Sequence, residues 1–182
     1  MSSRRPDGKL VAVTATDFEL RALAPDDWPD WRELRLAALA EAPYAFGSTL
    51  AQWQGEGDQA GRWRARLEIP GSHNLIALLD GRPVGMASGV PGERPGAVEL
   101  ISFWVSPSGR GRAVGDRLIG EVERWAVERG AEVLVLAVKA DNTHAVALYE
   151  RNGFVDVGPS EDAVAEGELP ERLMSKRLLQ RY

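Results

Sequence analysis

The sequence predicts an α/β fold: a mixed, mostly antiparallel sheet with one parallel pair at its centre and helices on both faces. Two observations carry this. Residues 98–105 and 132–139 are apolar, strand-like runs, and the amphipathic stretch between them has helical spacing, so strand–helix–strand makes a crossover that leaves the two strands parallel. Upstream, Asp80-Gly81 sits between the apolar runs 74–79 and 84–89, which signals a hairpin. Three consecutive antiparallel strands flanked by helical segments give a mixed sheet rather than an all-parallel one.

Composition bounds the rest. A chain of 182 residues with 44% hydrophobic and 27% charged residues suits one globular domain, taken as 11–182 behind a polar, frayed tail at 1–10. No apolar run is long enough to span a bilayer. Arg4-Arg5 is followed by Pro6-Asp7 rather than by an apolar segment, which argues against a signal peptide. The absence of cysteine excludes disulfides, thiolate metal sites and a cysteine nucleophile. With His73 and His144 as the only histidines, a zinc site would need carboxylates from unrelated segments. The expectation is a metal-free cytoplasmic protein. A net charge of −5 with scattered arginines disfavours a nucleic-acid partner.

Taken in order, residues 11–23 have strand character around Phe18. Pro25-Asp26-Asp27 opens a helix with acids in its first turn, and Trp28, Trp31, Leu34, Ala38 and Leu39 share one face until Pro43 ends it. An aromatic loop, 43–50, precedes a second helix over 59–67. The hairpin follows, then the loop 91–96 and the strand 98–105. The next helix buries Val114, Leu118, Val122, Trp125 and Ala126 and stops at Gly130. Residues 133–138 are continuously apolar, as in a strand covered on both faces. Asp141 or Asn142 caps a short helix ending at Gly153, and 154–157 and 172–179 supply two last strands around an acidic segment, 160–171.

The junction at 106–115 is the most informative stretch. A strand breaks at Ser106-Pro107-Ser108-Gly109 and restarts as a helix, so unpaired N–H groups and the positive end of the helix dipole face the turn. Gly111 and Gly115 admit a ligand to the main chain, and Arg110 and Arg112 add charge. This is a phosphate-binding turn. No Lys-Ser/Thr follows the glycines, so it is not a P-loop, and the glycine spacing fits a dinucleotide fold poorly.

Arg110-Gly111-Arg112-Ala113-Val114-Gly115 resembles the Gln/Arg-x-x-Gly-x-Gly/Ala motif of the GNAT superfamily of N-acetyltransferases, with Ala113 where glycine is usual. A second stretch, from Asn142 through Ala145, Leu148 and Tyr149 to Gly153-Phe154, is similar to that family's Asn-x-x-Ala-x-x-Leu-Tyr-x-x-x-Gly-Phe. The resemblance implies a V-shaped cleft where the central parallel strands splay. It also implies acetyl-coenzyme A as co-substrate, with its pyrophosphate on the amides of Arg110 to Gly115. The activity implied is acetyl transfer to a primary amine by direct attack in a ternary complex. The acceptor is a small molecule or a peptide amine, a protein N-terminus included, and a homodimer is compatible with the sequence. A non-catalytic acyl-coenzyme A sensor is the rival reading.

By the same resemblance, Glu99 matches a general base and Tyr149 the acid that protonates the coenzyme A thiolate. Phe103, Trp104, Val105, Val114 and Asn142 join the turn as coenzyme contacts. Each has a structural alternative: a solvent-facing strand glutamate, a core tyrosine, a helix cap. Tyr44, Phe46 and Trp53 are candidate acceptor contacts or loop packing, and His144 is expected on an exposed face. The acidic segment 160–171 is a solvated loop or a field that attracts a polycationic acceptor.

Overall fold

The computed structural model describes residues 17–160 and 170–179. Seven strands form one sheet in the order β1-β2-β3-β4-β5-β7-β6. They are β1 (Phe18–Ala22), β2 (His73–Leu79), β3 (Arg82–Pro91), β4 (Ala97–Val105), β5 (Val133–Lys139), β6 (Val155–Pro159) and β7 (Glu171–Arg177). Every neighbouring pair is antiparallel except β4 and β5. The expected hairpin turns at Asp80 and Gly81, both with positive φ, as a tight two-residue turn requires.

Helices α1 (Trp28–Glu41) and α2 (Ala60–Leu67) cover one face, and α3 (Val114–Glu128) and α4 (Thr143–Arg151) cover the other. Pro25–Asp27, expected as the first turn of α1, forms a separate 3₁₀ turn. On α1, Trp31, Leu34, Ala38 and Leu39 are buried at helical spacing. Trp31, Leu34 and Ala38 build one apolar cluster with Trp63, Ile76, Met86 and Trp104. The α3 stripe of Val114, Leu118, Val122 and Ala126 builds the larger one against Leu75, Leu100, Leu134 and Leu136. Packing helices on each side buries both faces of β2, which explains its apolar run, whereas β5, expected to be covered on both faces, buries only Leu134, Leu136 and Val138 and leaves Ala137 exposed in the cleft.

The parallel pair is in register only at Ala97↔Val133, Val98↔Leu134 and Glu99↔Val135. Beyond Glu99 the two strands diverge. At the point of divergence β4 carries a bulge: Met86 faces Trp104 and Ser88 faces Ile101, which leaves an extra residue on β4, and Ser102 has a φ of +51°. The expected splayed pair is therefore present. β7 lies between β5 and β6 and closes the far side of the sheet. The frayed tail expected at 1–10 lies outside the described residues, as does 161–169, the greater part of the acidic segment. Among the described residues, no helix is long and apolar enough to cross a membrane, and no cluster of three metal-ligating side chains occurs.

Candidate active site

The divergence of β4 from β5 opens a cleft of about 510 Å³. One wall is Phe103, Trp104 and Val105 of β4, and the opposite wall is Ala137 and Val138 of β5. The floor is the turn that enters α3, and α4 closes one end with Asn142, Ala145, Leu148 and Tyr149. Ala42, Tyr44 and Ala45, just after α1, line the other end.

The edge of β4 that faces the gap has main-chain groups no strand pairs with. Ser106 N–H donates to Val84 O, on the β3 side, so the main-chain groups of Val105 point to the opposite side. Val105 O is capped there by Arg110 Nε at 3.1 Å. The N–H of Val105 shares that edge and is a donor available to a ligand in the cleft.

The turn is shaped by its backbone. Gly111 has a φ of +72°, and an added Cβ there would meet nothing within 4 Å, so the main chain is open to a ligand. Ala113 caps α3 in the left-handed region, with φ 58° and ψ 17°. That conformation is why glycine is favoured at this motif position. The first bond back into the helix is Arg117 N–H to Ala113 O, so the N–H groups of Val114 and Gly115 have no intrahelical partner. Gly115 packs tightly: an added Cβ would lie 3.1 Å from Leu148 and 3.3 Å from Phe103. Glycine there lets α4 and β4 approach α3.

Arg110 lines the cleft, yet its guanidinium is engaged within the protein. Its Nη2 lies 3.0 and 2.9 Å from the two carboxylate oxygens of Glu41, which also accepts from Trp104 Nε1 at 3.0 Å. Arg110 first and Trp104 second hold the Glu41 carboxyl below its usual range. Main-chain N–H groups are thus the principal anion donors of the turn. Arg112 and Glu99 do not line the cleft. Glu99 lies at the paired root of β4, opposite Val90 on β3, on the face that carries α1 and α2.

Tyr149 is 6% exposed and borders the cleft. Its ring sits edge-on to Phe103 at 5.7 Å and to Phe154 at 5.8 Å. Burial raises its hydroxyl pKa, so the phenol is protonated across the physiological range. The Asn142 side chain accepts from Ala145 N–H at 3.2 Å, the capping role, and the residue also lines the cleft. His144 is exposed, as expected, and stands at the cleft rim.

Sequence reasoning missed two tethers. Glu41 is one. The other is Asp116, in the first turn of α3, which accepts from Arg151 at 3.1 Å through both oxygens and from Asn152 at 2.9 Å. It ties the turn to α4 and is neutralised there despite lying near an anion site. Neither has a local signal, because both partners are distant in sequence. Of the aromatic loop residues, Tyr44 is 61% exposed beside the cleft. Phe46 lies under Arg35 at 4.5 Å, and Trp53 meets Arg62 at 3.9 Å and the tilted ring of Trp63 at 4.5 Å, so those two pack.

Residues 22–154 match the model of the acetyltransferase (GNAT) family. Human N-acetylaspartate synthetase is 34% identical over 119 residues, which is 64% of this chain and 39% of that protein. Mycothiol acetyltransferase of Corynebacterium glutamicum is 29% identical over 160 residues, 80% of this chain and 54% of that protein. The match thus spans well under half of the first relative and about half of the second. Among solved structures, a putative acetyltransferase from Salmonella typhimurium with its cofactor acetyl-CoA superposes with a TM-score of 0.70 at 19% identity. The match covers 91% of this chain and 96% of that one, a likeness of fold.

Proposed function

Because this chain belongs to the acetyltransferase (GNAT) family, we propose that it moves an acetyl group from acetyl-coenzyme A to a primary amine by direct attack within a ternary complex. The observation that carries the reading is the splayed β4–β5 gap, with unpaired main-chain donors on two sides and a buried phenol at its end. The turn from Arg110 to Gly115 suits the pyrophosphate, since its free N–H groups converge where the helix dipole favours negative charge. The pantetheine arm runs along the open edge of β4, and Val105 N–H is placed to polarise the thioester carbonyl.

The amine nitrogen attacks that carbonyl carbon from the α1/α2 face. The carbonyl oxygen becomes an oxyanion, the C–S bond breaks, and an amide and a thiol form. Glu99, on that same face, takes the ammonium proton through an intervening water, because it stands back from the cleft wall. Tyr149, kept protonated by burial, gives a proton to sulfur, and the second proton shed by the nitrogen as the amide forms restores the phenol. The chain has no cysteine, which supports direct transfer over an acyl-enzyme. Holding two reactants in line is worth roughly 7–11 kcal/mol of barrier.

A broad amine screen with thiol release as readout tests the reading. Turnover on at least one amine class is expected. Acetyl-coenzyme A binding by calorimetry without turnover on any amine would replace the enzyme with an acyl-coenzyme A sensor.

A further inference from the structure

Two guanidinium groups, Arg35 buried and Arg66 half-buried, lie on the α1/α2 face behind the cleft wall, and neither is neutralised. Arg66 of α2 crosses to the sheet, where Nη1 bonds Asn74 Oδ1 at 3.2 Å and Nη2 bonds Ser88 Oγ at 3.1 Å and Ser102 Oγ at 3.0 Å. All three acceptors are uncharged. Arg35 of α1 is 8% exposed, lies over Phe46, and its buried Nη1 has no hydrogen-bond partner. The two are neighbours: Arg66 stacks over Trp31, one helical turn before Arg35, and the charge of Arg35 acts on Arg66. Among the described residues no carboxylate pairs with either group within 4.0 Å. Burial lowers both pKa values to about 10, so both groups are charged at neutral pH.

A buried charge that lacks a counter-ion is unfavourable, and here two like charges lie together. They have a fixed position relative to the chemistry. Ser102, held by Arg66, is the bulge residue next to Phe103, where β4 begins to line the cleft. The strip of sheet beside it, Glu99 and Ile101, is half-buried rather than covered. On that face the acceptor amine must approach.

We propose that Arg35 and Arg66 are the receptor for a carboxylate on the acceptor, so that the substrate is an amine bearing a carboxylate within a few bonds of its nitrogen. A guanidinium fork matches a carboxylate in shape and charge, and Arg66 reaches Ser102, next to Phe103 of the cleft wall. This rests on the acetyltransferase reading above. It excludes polyamines as preferred acceptors, since two positive charges repel them.

The test is a screen of matched acceptors: amino acids, their carboxamides, and the amines left by decarboxylation, with thiol release as readout. The free carboxylate is expected to raise kcat/KM at least tenfold over both analogues. Arg35→Met is expected to raise the acceptor KM about tenfold and to erase most of that preference, with the acetyl-coenzyme A KM unchanged. Arg66→Met should do the same if it folds. Because Arg66 bonds three partners and Arg35 Nη1 bonds none, Arg35→Met is the variant that keeps the test decisive. If carboxamides or decarboxylated amines are acetylated as well as the parent, or Arg35→Met keeps the preference, the receptor is wrong while the enzyme reading stands. Absence of turnover on every amine removes both.

Discussion

Glu41, the last residue of α1, grips Arg110, the first residue of the anion turn, through both carboxylate oxygens at 3.0 and 2.9 Å across 69 residues of sequence. The contact fixes the turn to the end of α1, beside the residues that line one end of the cleft. The Glu41 side chain is 33% exposed and that of Arg110 50%, so solvent screens the pair, and it is worth about 0.5–1 kcal/mol. Glu41→Gln keeps an acceptor for Trp104 but loses the charge. Because the folded pKa is depressed, the contribution is full above the unfolded value and is lost as pH falls through the folded one. Urea denaturation should show wild type more stable at pH 7 and the difference gone well below pH 4. An equal difference at both pH values would mean that the ion pair contributes nothing.

Tyr149→Phe keeps the ring between Phe103 and Phe154 and removes only the proton donor. Stability and acetyl-coenzyme A affinity should hold, while kcat falls by about 10²-fold or more. Raising pH should not restore it, since the missing proton is needed at sulfur. Glu99→Gln should also lower kcat, but with recovery at high pH, where the amine (pKa near ~10) is already neutral. Full kcat in Glu99→Gln at pH 7, with chemistry rate-limiting, would make Glu99 structural.

Ala113 occupies a left-handed conformation that a Cβ disfavours by about 1–2 kcal/mol, partly offset by the greater chain entropy of unfolded glycine. Ala113→Gly is therefore expected to stabilise the protein by about 0.5–1 kcal/mol, with acetyl-coenzyme A affinity unchanged within threefold. Ala113→Val, β-branched, should destabilise. Chemical denaturation reads both, and a destabilised glycine variant would contradict the assigned backbone.

His73 stacks on Trp125 at 5.1 Å and sits 3.8 Å from Glu121, too far for a hydrogen bond. Burial outweighs the pull of Glu121 and lowers its pKa. The folded state therefore binds the proton less readily than the unfolded chain, so stability is full above about pH 6.5 and is lost as pH falls through the folded pKa. Thermal melts between pH 7.5 and 5 should show a drop in Tm that is smaller in His73→Phe. Parallel curves would assign the acid sensitivity elsewhere.

The fold was legible in the sequence wherever one segment carried its own signal. Asp80-Gly81 made the hairpin, and the stripe from Val114 to Ala126 made the crossover helix. Much of the cleft lining was legible for the same reason, because 110–115 and 142–154 are contiguous. Ser102 gave no warning of its bulge, since serine tolerates many conformations. Glu41 and Asp116 were invisible because their partners are distant in sequence. The guanidinium pair was hidden most deeply: Arg35 reads as one more helix charge and Arg66 as another, and only the folded chain brings them together away from any described carboxylate.

The extra residue in β4 also acts as a change of parity. Before Ser102, even-numbered side chains such as Val98 and Leu100 enter the α3 cluster, and odd-numbered Glu99 points the other way. After it, even-numbered Trp104 joins the α1 cluster, while odd-numbered Phe103 and Val105 pack toward α3. One strand therefore serves each face with alternate residues, then exchanges them midway. Deleting Ser102 would remove the extra residue and restore regular alternation across Ile101 and Phe103, with Trp104 still on the α1 face and Phe103 still on the α3 face. It would take away the positive-φ kink and the hydroxyl that accepts from Arg66 Nη2. The extra residue therefore bends the strand where it leaves β5 while every wall residue keeps its side of the sheet.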